Sequence, residues 1–176
     1  MNKKILSITE TALMSAVIAV CAFVTVPSAV PFTLQTFGIF LALRILGAAK
    51  GTVSVIIYIA AGAAGLPVFS GFRGGVSVIA GPTGGYILGF VPLCLVYLAA
   101  QKLTKGKKAE VCALAAGLFV CYAFGTLWFA AVSGQKGIIH ILSLCVFPFI
   151  IPDAVKLALA VIAGDRIKKL KNRNKS

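Results

Sequence analysis

Apolar residues in this chain come in long runs rather than in the alternating or three-and-four spacing of a soluble fold. Polar residues crowd into the short gaps between them. Apolar windows lie at about Ile5–Val26, Leu34–Ala49, Thr52–Leu66, Gly84–Ala100, Val111–Val132 and Leu142–Ala163. A helix rises about 1.5 Å per residue, so roughly 20 apolar residues cross a hydrocarbon core of about 30 Å. The pattern predicts an all-α integral membrane protein with six transmembrane helices, residues 1–176 forming a single transmembrane domain. The second and third windows are short for a full crossing and are expected to thin the bilayer locally or to lean on neighbours.

Composition agrees with the pattern. Of 176 residues, 60% are hydrophobic and 12% charged, against about 25% charged in soluble domains, and mean hydropathy is +1.02. The spans use most of the length and leave no room for an appended soluble domain. A net charge of +13 would suggest a nucleic-acid partner in a soluble protein. Here the basic residues flank apolar spans, so they report topology instead, with no nucleic acid implied. An even number of helices puts both termini on one side. That side carries all but three of the 17 Lys and Arg residues, since Arg73 and Lys136 fall in the opposite loops and Lys156 lies inside a span. Both termini, with Lys105 and Lys171, are therefore expected in the cytoplasm of a bacterial cell, and Gly74 and Lys136 outside. The start Met1-Asn2-Lys3-Lys4 before an apolar run imitates a signal peptide, yet no small-residue cleavage pattern follows, and it is read as a retained first helix.

The five cysteines are scattered without a CxxC pair and His140 is the only histidine, which argues against metal and disulfide chemistry. No GxxxxGK[ST] phosphate loop is present, so the chain cannot hydrolyse ATP by that route.

The sharpest departure from the apolar pattern is Pro152-Asp153-Ala154-Val155-Lys156 inside the sixth window. Counting from Arg166, Lys156 lies about 15 Å and Asp153 about 20 Å into the span. A lone charge there costs from about 3 to more than 10 kcal/mol. The i, i+3 spacing puts acid and base on one helix face, where each can keep the other ionised. The pair is either a binding element facing a cavity or an ion tie between helices. Gln35 lies at similar depth with Thr33 and Thr36 beside it, and Tyr86 follows a glycine-rich stretch from Gly62 to Gly89. That stretch is either a wide turn or a place of close approach to a ligand. These groups, with Phe32, Phe37, Phe69 and Trp128, would line an outward cavity for a small, largely apolar molecule with a few fixed polar groups. Near the N-terminus, Ala12 and Ala16 form a small-residue stripe continued by Ala19, suited either to packing within the chain or to a partner helix.

Several segments together resemble the BioY family, the biotin-capture subunits of energy-coupling-factor (ECF) transporters. They are Val30-Pro31-Phe32-Thr33-Leu34-Gln35-Thr36, Ala64-Gly65-Leu66-Pro67-Val68-Phe69, Gly81-Pro82-Thr83-Gly84-Gly85-Tyr86 and Pro152-Asp153-Ala154-Val155-Lys156. The resemblance implies the six-helix ECF S-component fold, with biotin as transported ligand and no cofactor. It implies a site built from Phe32, Thr33, Gln35, Arg73, Tyr86, Asp153 and Lys156. It further implies docking, partly through Ala12 and Ala16, on a transmembrane coupling subunit that carries two cytoplasmic ATPase subunits. Biotin has a ureido ring with two N–H donors and one carbonyl; Asp153 can accept an N–H, Lys156 can meet the oxygen and Gln35 can do either. Around Phe72-Arg73 the chain departs from the family pattern, which leaves Arg73, Tyr86 and Lys156 as contenders for the biotin carboxylate. The alternatives are an S subunit for another vitamin or a structural, oligomerising membrane protein. An enzyme would need a metal set, a carboxylate cluster or a Ser/His pair, none of which the four acids and single histidine supply.

Overall fold

The computed structural model describes residues 2–27, 30–103, 106–134 and 137–173. In chain order these form α1 (Lys3–Phe23), a two-stranded hairpin of β1 (Thr25–Val26) and β2 (Phe32–Thr33), α2 (Gln35–Leu46), α3 (Ala48–Ala63), α4 (Val76–Ala80), α5 (Gly84–Leu103), α6 (Lys107–Ser133), α7 (Ile138–Cys145) and α8 (Phe147–Arg173). Four stretches, Lys3–Phe23, Gly84–Leu103, Lys107–Ser133 and Ile139–Leu170, are long and apolar enough to cross a membrane, while α2 and α3 are shorter apolar helices.

Local chemistry explains where these bounds differ from the apolar windows. Gly47 takes φ +82°, a conformation open to glycine and strained for other residues, so α2 stops at Leu46 and α3 begins at Ala48 rather than at residue 52. The window at 142–163 is not one helix. Pro148 has no N–H to give and its ring crowds the carbonyl four residues back, so the chain breaks at Val146 and Pro148 falls in the first turn of α8. The polar ends of α5, α6 and α8 continue past the apolar runs, because Lys102, Lys107 and Lys168 are good helix formers that do not have to lie in hydrocarbon. The glycine-rich stretch holds the five-residue α4 within what reads as loop.

Packing joins α1, α2 and α3 into one group, α5 and α6 into an antiparallel hairpin, and α8 chiefly to α2. Lipid offers little hydrophobic drive between helices, so close approach and interhelical hydrogen bonds take its place. On the buried stripe of α1, the Ser15 hydroxyl donates to the Ser54 carbonyl at 2.8 Å, and Ser54 donates back to the Thr11 carbonyl at 3.0 Å. Ala12 and Ala16 point away from this seam and are exposed, whereas Ala19 is buried, so the small-residue stripe divides between two surroundings. In the α5–α6 hairpin, Gly125 leaves room for the Tyr86 ring; a Cβ there would lie 2.3 Å from the ring.

That last contact fixes Tyr86 near the start of α5. Gly125→Ala forces the ring or the helices to shift, and overpacking of this kind costs about 1–3 kcal/mol. We expect a lower midpoint of thermal unfolding in detergent; a midpoint equal to wild type would show that the seam yields freely.

Candidate substrate-binding site

Asp153 and Lys156 are 2% and 4% exposed, on the face of α8 turned towards α2 and α6. Their side chains are paired at 2.7 Å, through Lys156 Nζ and Asp153 Oδ1. The same Oδ1 accepts from the Thr36 hydroxyl of α2 at 2.9 Å, and Oδ2 accepts from the Tyr122 hydroxyl of α6 at 2.5 Å. Lys156 also donates to the Thr33 carbonyl at 2.6 Å and sits 3.9 Å from the centre of the Phe32 ring. One acid and one base thus draw together the hairpin before α2, α2 itself, α6 and α8. A carboxylate has about four lone-pair positions and an ammonium three N–H donors, so the described contacts leave each with capacity for one more partner.

Gln35 is buried and its amide donates to the Tyr58 hydroxyl at 2.7 Å; Tyr58 in turn donates to the Val68 carbonyl at 3.2 Å. This relay ties α2 to α3 and to the segment after it. The Tyr86 hydroxyl meets Thr126 Oγ1 at 3.0 Å and the Cys145 carbonyl at 3.5 Å. Thr33 accepts the Gln35 backbone N–H at 3.2 Å, which starts α2 with its first residues aimed at the site.

Two adjoining cavities open among these groups. One, of about 60 Å³, is lined by Thr33, Gln35, Thr36, Tyr86, Phe90, Leu118, Cys121, Tyr122, Phe149, Asp153 and Lys156, among others. The second, about 50 Å³, shares Thr33, Gln35, Tyr86 and Phe90 and continues past Phe69, Ser70 and Thr83 to Arg73. Arg73 is exposed, and its Nε donates to the Ser70 carbonyl at 3.2 Å.

Five of the seven binding residues expected from the sequence, Thr33, Gln35, Tyr86, Asp153 and Lys156, line the first cavity; Phe32 lines neither and meets the site through its contact with Lys156, and Arg73 stands at the far end of the second. The aromatic lining differs from expectation. Phe69 lines the second cavity edge-on to Tyr58, but Phe37 and Trp128 line neither. Trp128 packs on Gly85 and donates its indole N–H to the Gly81 carbonyl at 3.0 Å, a structural tie at the start of α5. Sequence reasoning missed Tyr122 and Tyr58. Each is a phenol in the middle of an apolar run, and a buried phenol needs a hydrogen-bond partner; that was the available signal. Lys105 and Lys136, used in the sidedness argument, lie outside the described residues.

Ala12 lines a separate apolar groove of about 360 Å³ between α1 and α3, with Ile8, Thr11, Ala49, Val53 and Ile57.

Residues 1–173 match the family model described as the BioY family. The chain is 45% identical over 140 residues to the probable biotin transporter BioY of Pyrococcus horikoshii, covering 79% of this chain and 81% of that one. It is 41% identical over 165 residues to the biotin transporter BioY of Thermotoga maritima, covering 90% and 93%. The structure is similar to the 2.1 Å crystal structure of the S-component for biotin from an ECF-type ABC transporter, with a TM-score of 0.84, 29% identity and 96% and 95% of the two chains covered. It shares its fold with the S component of a bacterial ECF transporter at a TM-score of 0.65, 16% identity and coverage of 99% and 100%. With the match running almost end to end and the fold shared with a biotin S-component, the chain belongs to the BioY family.

Proposed function

We propose that this chain captures biotin at the outer face of the cytoplasmic membrane and takes it up as the substrate-specific S subunit of an ATP-driven ECF transporter. The observation that carries the reading is the buried Asp153–Lys156 pair, which borders a cavity and keeps capacity for one further partner on each side chain. Asp153 accepts one ureido N–H, Lys156 donates its remaining N–H to the ureido oxygen, and Tyr122 and Thr36 hold the carboxylate in place. The second cavity suits the aliphatic chain. It leads the carboxylate of the vitamin towards Arg73, since Lys156 is committed to Asp153 and Tyr86 to Thr126. A different vitamin would need other donors and acceptors at the pair, and a purely structural pair would not need the adjoining cavities. The relatives are named as transporters, which sets the enzyme reading aside.

In the membrane, α1, α2, α3, α5, α6 and α8 make six crossings, α2 and α3 with the bilayer thinned around them. The basic ends of α5, α6 and α8 then face the cytoplasm, as do both termini. The exposed Ala12 and Ala16 face of α1, with its groove against α3, suits a helix of a transmembrane coupling subunit that carries two cytoplasmic ATPase subunits. Small residues on an exposed apolar helix permit such close approach.

Cysteine introduced at the exposed Val76, two residues on from Gly74, where a Cβ would meet the Leu66 carbonyl, is expected to react with an impermeant reagent applied from outside, and cysteine at Lys171 only from inside; labelling at 171 from outside would reverse the orientation. Ala12→Trp with Ala16→Trp should abolish energised uptake while the isolated subunit still binds biotin, so loss of binding as well would mean that this face packs within the chain.

The site itself is tested by Asp153→Asn, which keeps the shape but replaces a charged acceptor with an amide. A hydrogen bond to a charged group contributes about 1.5 to 3 kcal/mol, so affinity for biotin should fall roughly 10- to 150-fold by equilibrium binding to purified protein. Lys156→Met should do similar harm, and the double variant should lose less than the sum because the two groups act as one unit. Affinity within twofold of wild type in a folded Asp153→Asn protein would exclude the binding role.

A further inference from the structure

The cavity lies between α6 and α8, yet these two helices touch sparsely along their length. Two polar rungs join them. The outer rung is the Tyr122–Asp153 hydrogen bond beside the cavity. At the other end, Arg44 of α2 reaches between the helices and pairs with Glu110 of α6 and Asp165 of α8. Asp165 is also paired with Lys107 of α6. On α6, Glu110 precedes Tyr122 by twelve residues; on α8, Asp153 precedes Asp165 by the same interval. Each interval is about 18 Å of helix, so the two rungs stand at matching heights on two antiparallel helices.

The inner rung is built rather than incidental. Arg44 is 3% exposed, although its place between two spans would suit a surface charge. Gly164 opens its path, because a Cβ at that position would lie 2.9 Å from Arg44 Cβ. Arg44 and Lys107 are paired with Glu110 and Asp165, and Lys168 lies close enough to interact with Arg44 and Asp165. The planar guanidinium donates a hydrogen bond to Asp165 of α8 and is ion-paired with Glu110 of α6, whereas apolar contacts let helices slide.

We propose that Arg44, with Glu110 and Asp165, is a positioning device for substrate binding: an inner ionic rung that sets the α6–α8 separation beneath the cavity and so holds Tyr122 opposite Asp153. This rests on the reading of Asp153 and Lys156 as the substrate site.

The test joins a ligand-independent measurement to a ligand-dependent one. Spin labels on genetically encoded keto amino acids at Phe124 and Val155, both exposed positions near the outer rung, report the α6–α8 distance by pulsed electron resonance. Arg44→Met should broaden that distance distribution in the absence of biotin and weaken biotin binding about tenfold. The variant Arg44→Met/Glu110→Gln/Asp165→Asn removes the uncompensated buried charges and should regain thermal stability, while the distribution stays broad and the binding stays weak. A cluster that serves stability alone predicts instead that the triple variant restores both distance and affinity, and that result would overturn the proposal. So would a distribution as narrow as wild type in Arg44→Met and in the triple variant. Wild-type protein without saturable biotin binding would refute the substrate reading, and the distance measurement would still decide the fate of the rung.

Discussion

A carboxylate and an ammonium buried among apolar helices must each find partners, and the part of this molecule around the hairpin before α2 is arranged to meet that requirement. Asp153 and Lys156 supply one another, but a single ion pair leaves lone pairs and N–H groups unsatisfied in a medium where that is costly. Thr36, Tyr122 and the Thr33 carbonyl fill much of the deficit. Each comes from a different part of the chain, so satisfying the pair orders the hairpin before α2, fixes α8 on α2 and draws α6 towards both. The pair acts as an organiser of helices that apolar contact alone would leave free to slide.

The pair was legible in the sequence because charge inside an apolar run is rare and i, i+3 spacing settles which face it shares. Gln35, Thr33 and Tyr86 could be placed with it by depth. Their partners could not, since nothing in a one-dimensional run says that Tyr122 donates to Asp153 beside a cavity, or that Gln35 hands its amide to Tyr58. Arg44 shows the same limit from the other side. Counting basic residues assigns it to a membrane face, yet the count ignores whether acids on other helices come to meet it. Helix ends were blurred for a different reason. A hydropathy window averages over the single residue that decides the break, here Gly47 with its positive φ and Pro148 without an N–H.

Glycine and other small residues set the geometry in which these polar groups can meet. Tyr86 reaches Thr126 because Gly125 leaves a flat place for its ring. Arg44 reaches Asp165 because Gly164 does not obstruct it. In both cases the absence of a side chain on one helix positions a polar group of another. A glycine in a membrane helix is therefore read best by asking which neighbour occupies the space it leaves.

The cavities are smaller than the roughly 300 to 1,000 Å³ usual for ligand pockets, and the groups that close them are the groups assigned to the ligand. Lys156 holds the Thr33 carbonyl and underlies the Phe32 ring, so the hairpin is fastened by the same ammonium that, on the proposed reading, meets the ureido oxygen. On that reading the vitamin adds an oxygen acceptor at the one Lys156 N–H that Thr33 and Asp153 leave unused, and a hydrogen bond traded from water contributes only about 1.5 to 3 kcal/mol net even to a charged group. Most of the affinity must come from elsewhere. The proposed reading buries the ring system among Phe90, Leu118 and Phe149 and adds a second N–H···O contact at Asp153. Selectivity follows from the same balance. A molecule of similar shape without the ureido group would cover the remaining Lys156 N–H and offer it nothing in return, leaving a buried ammonium short of an acceptor.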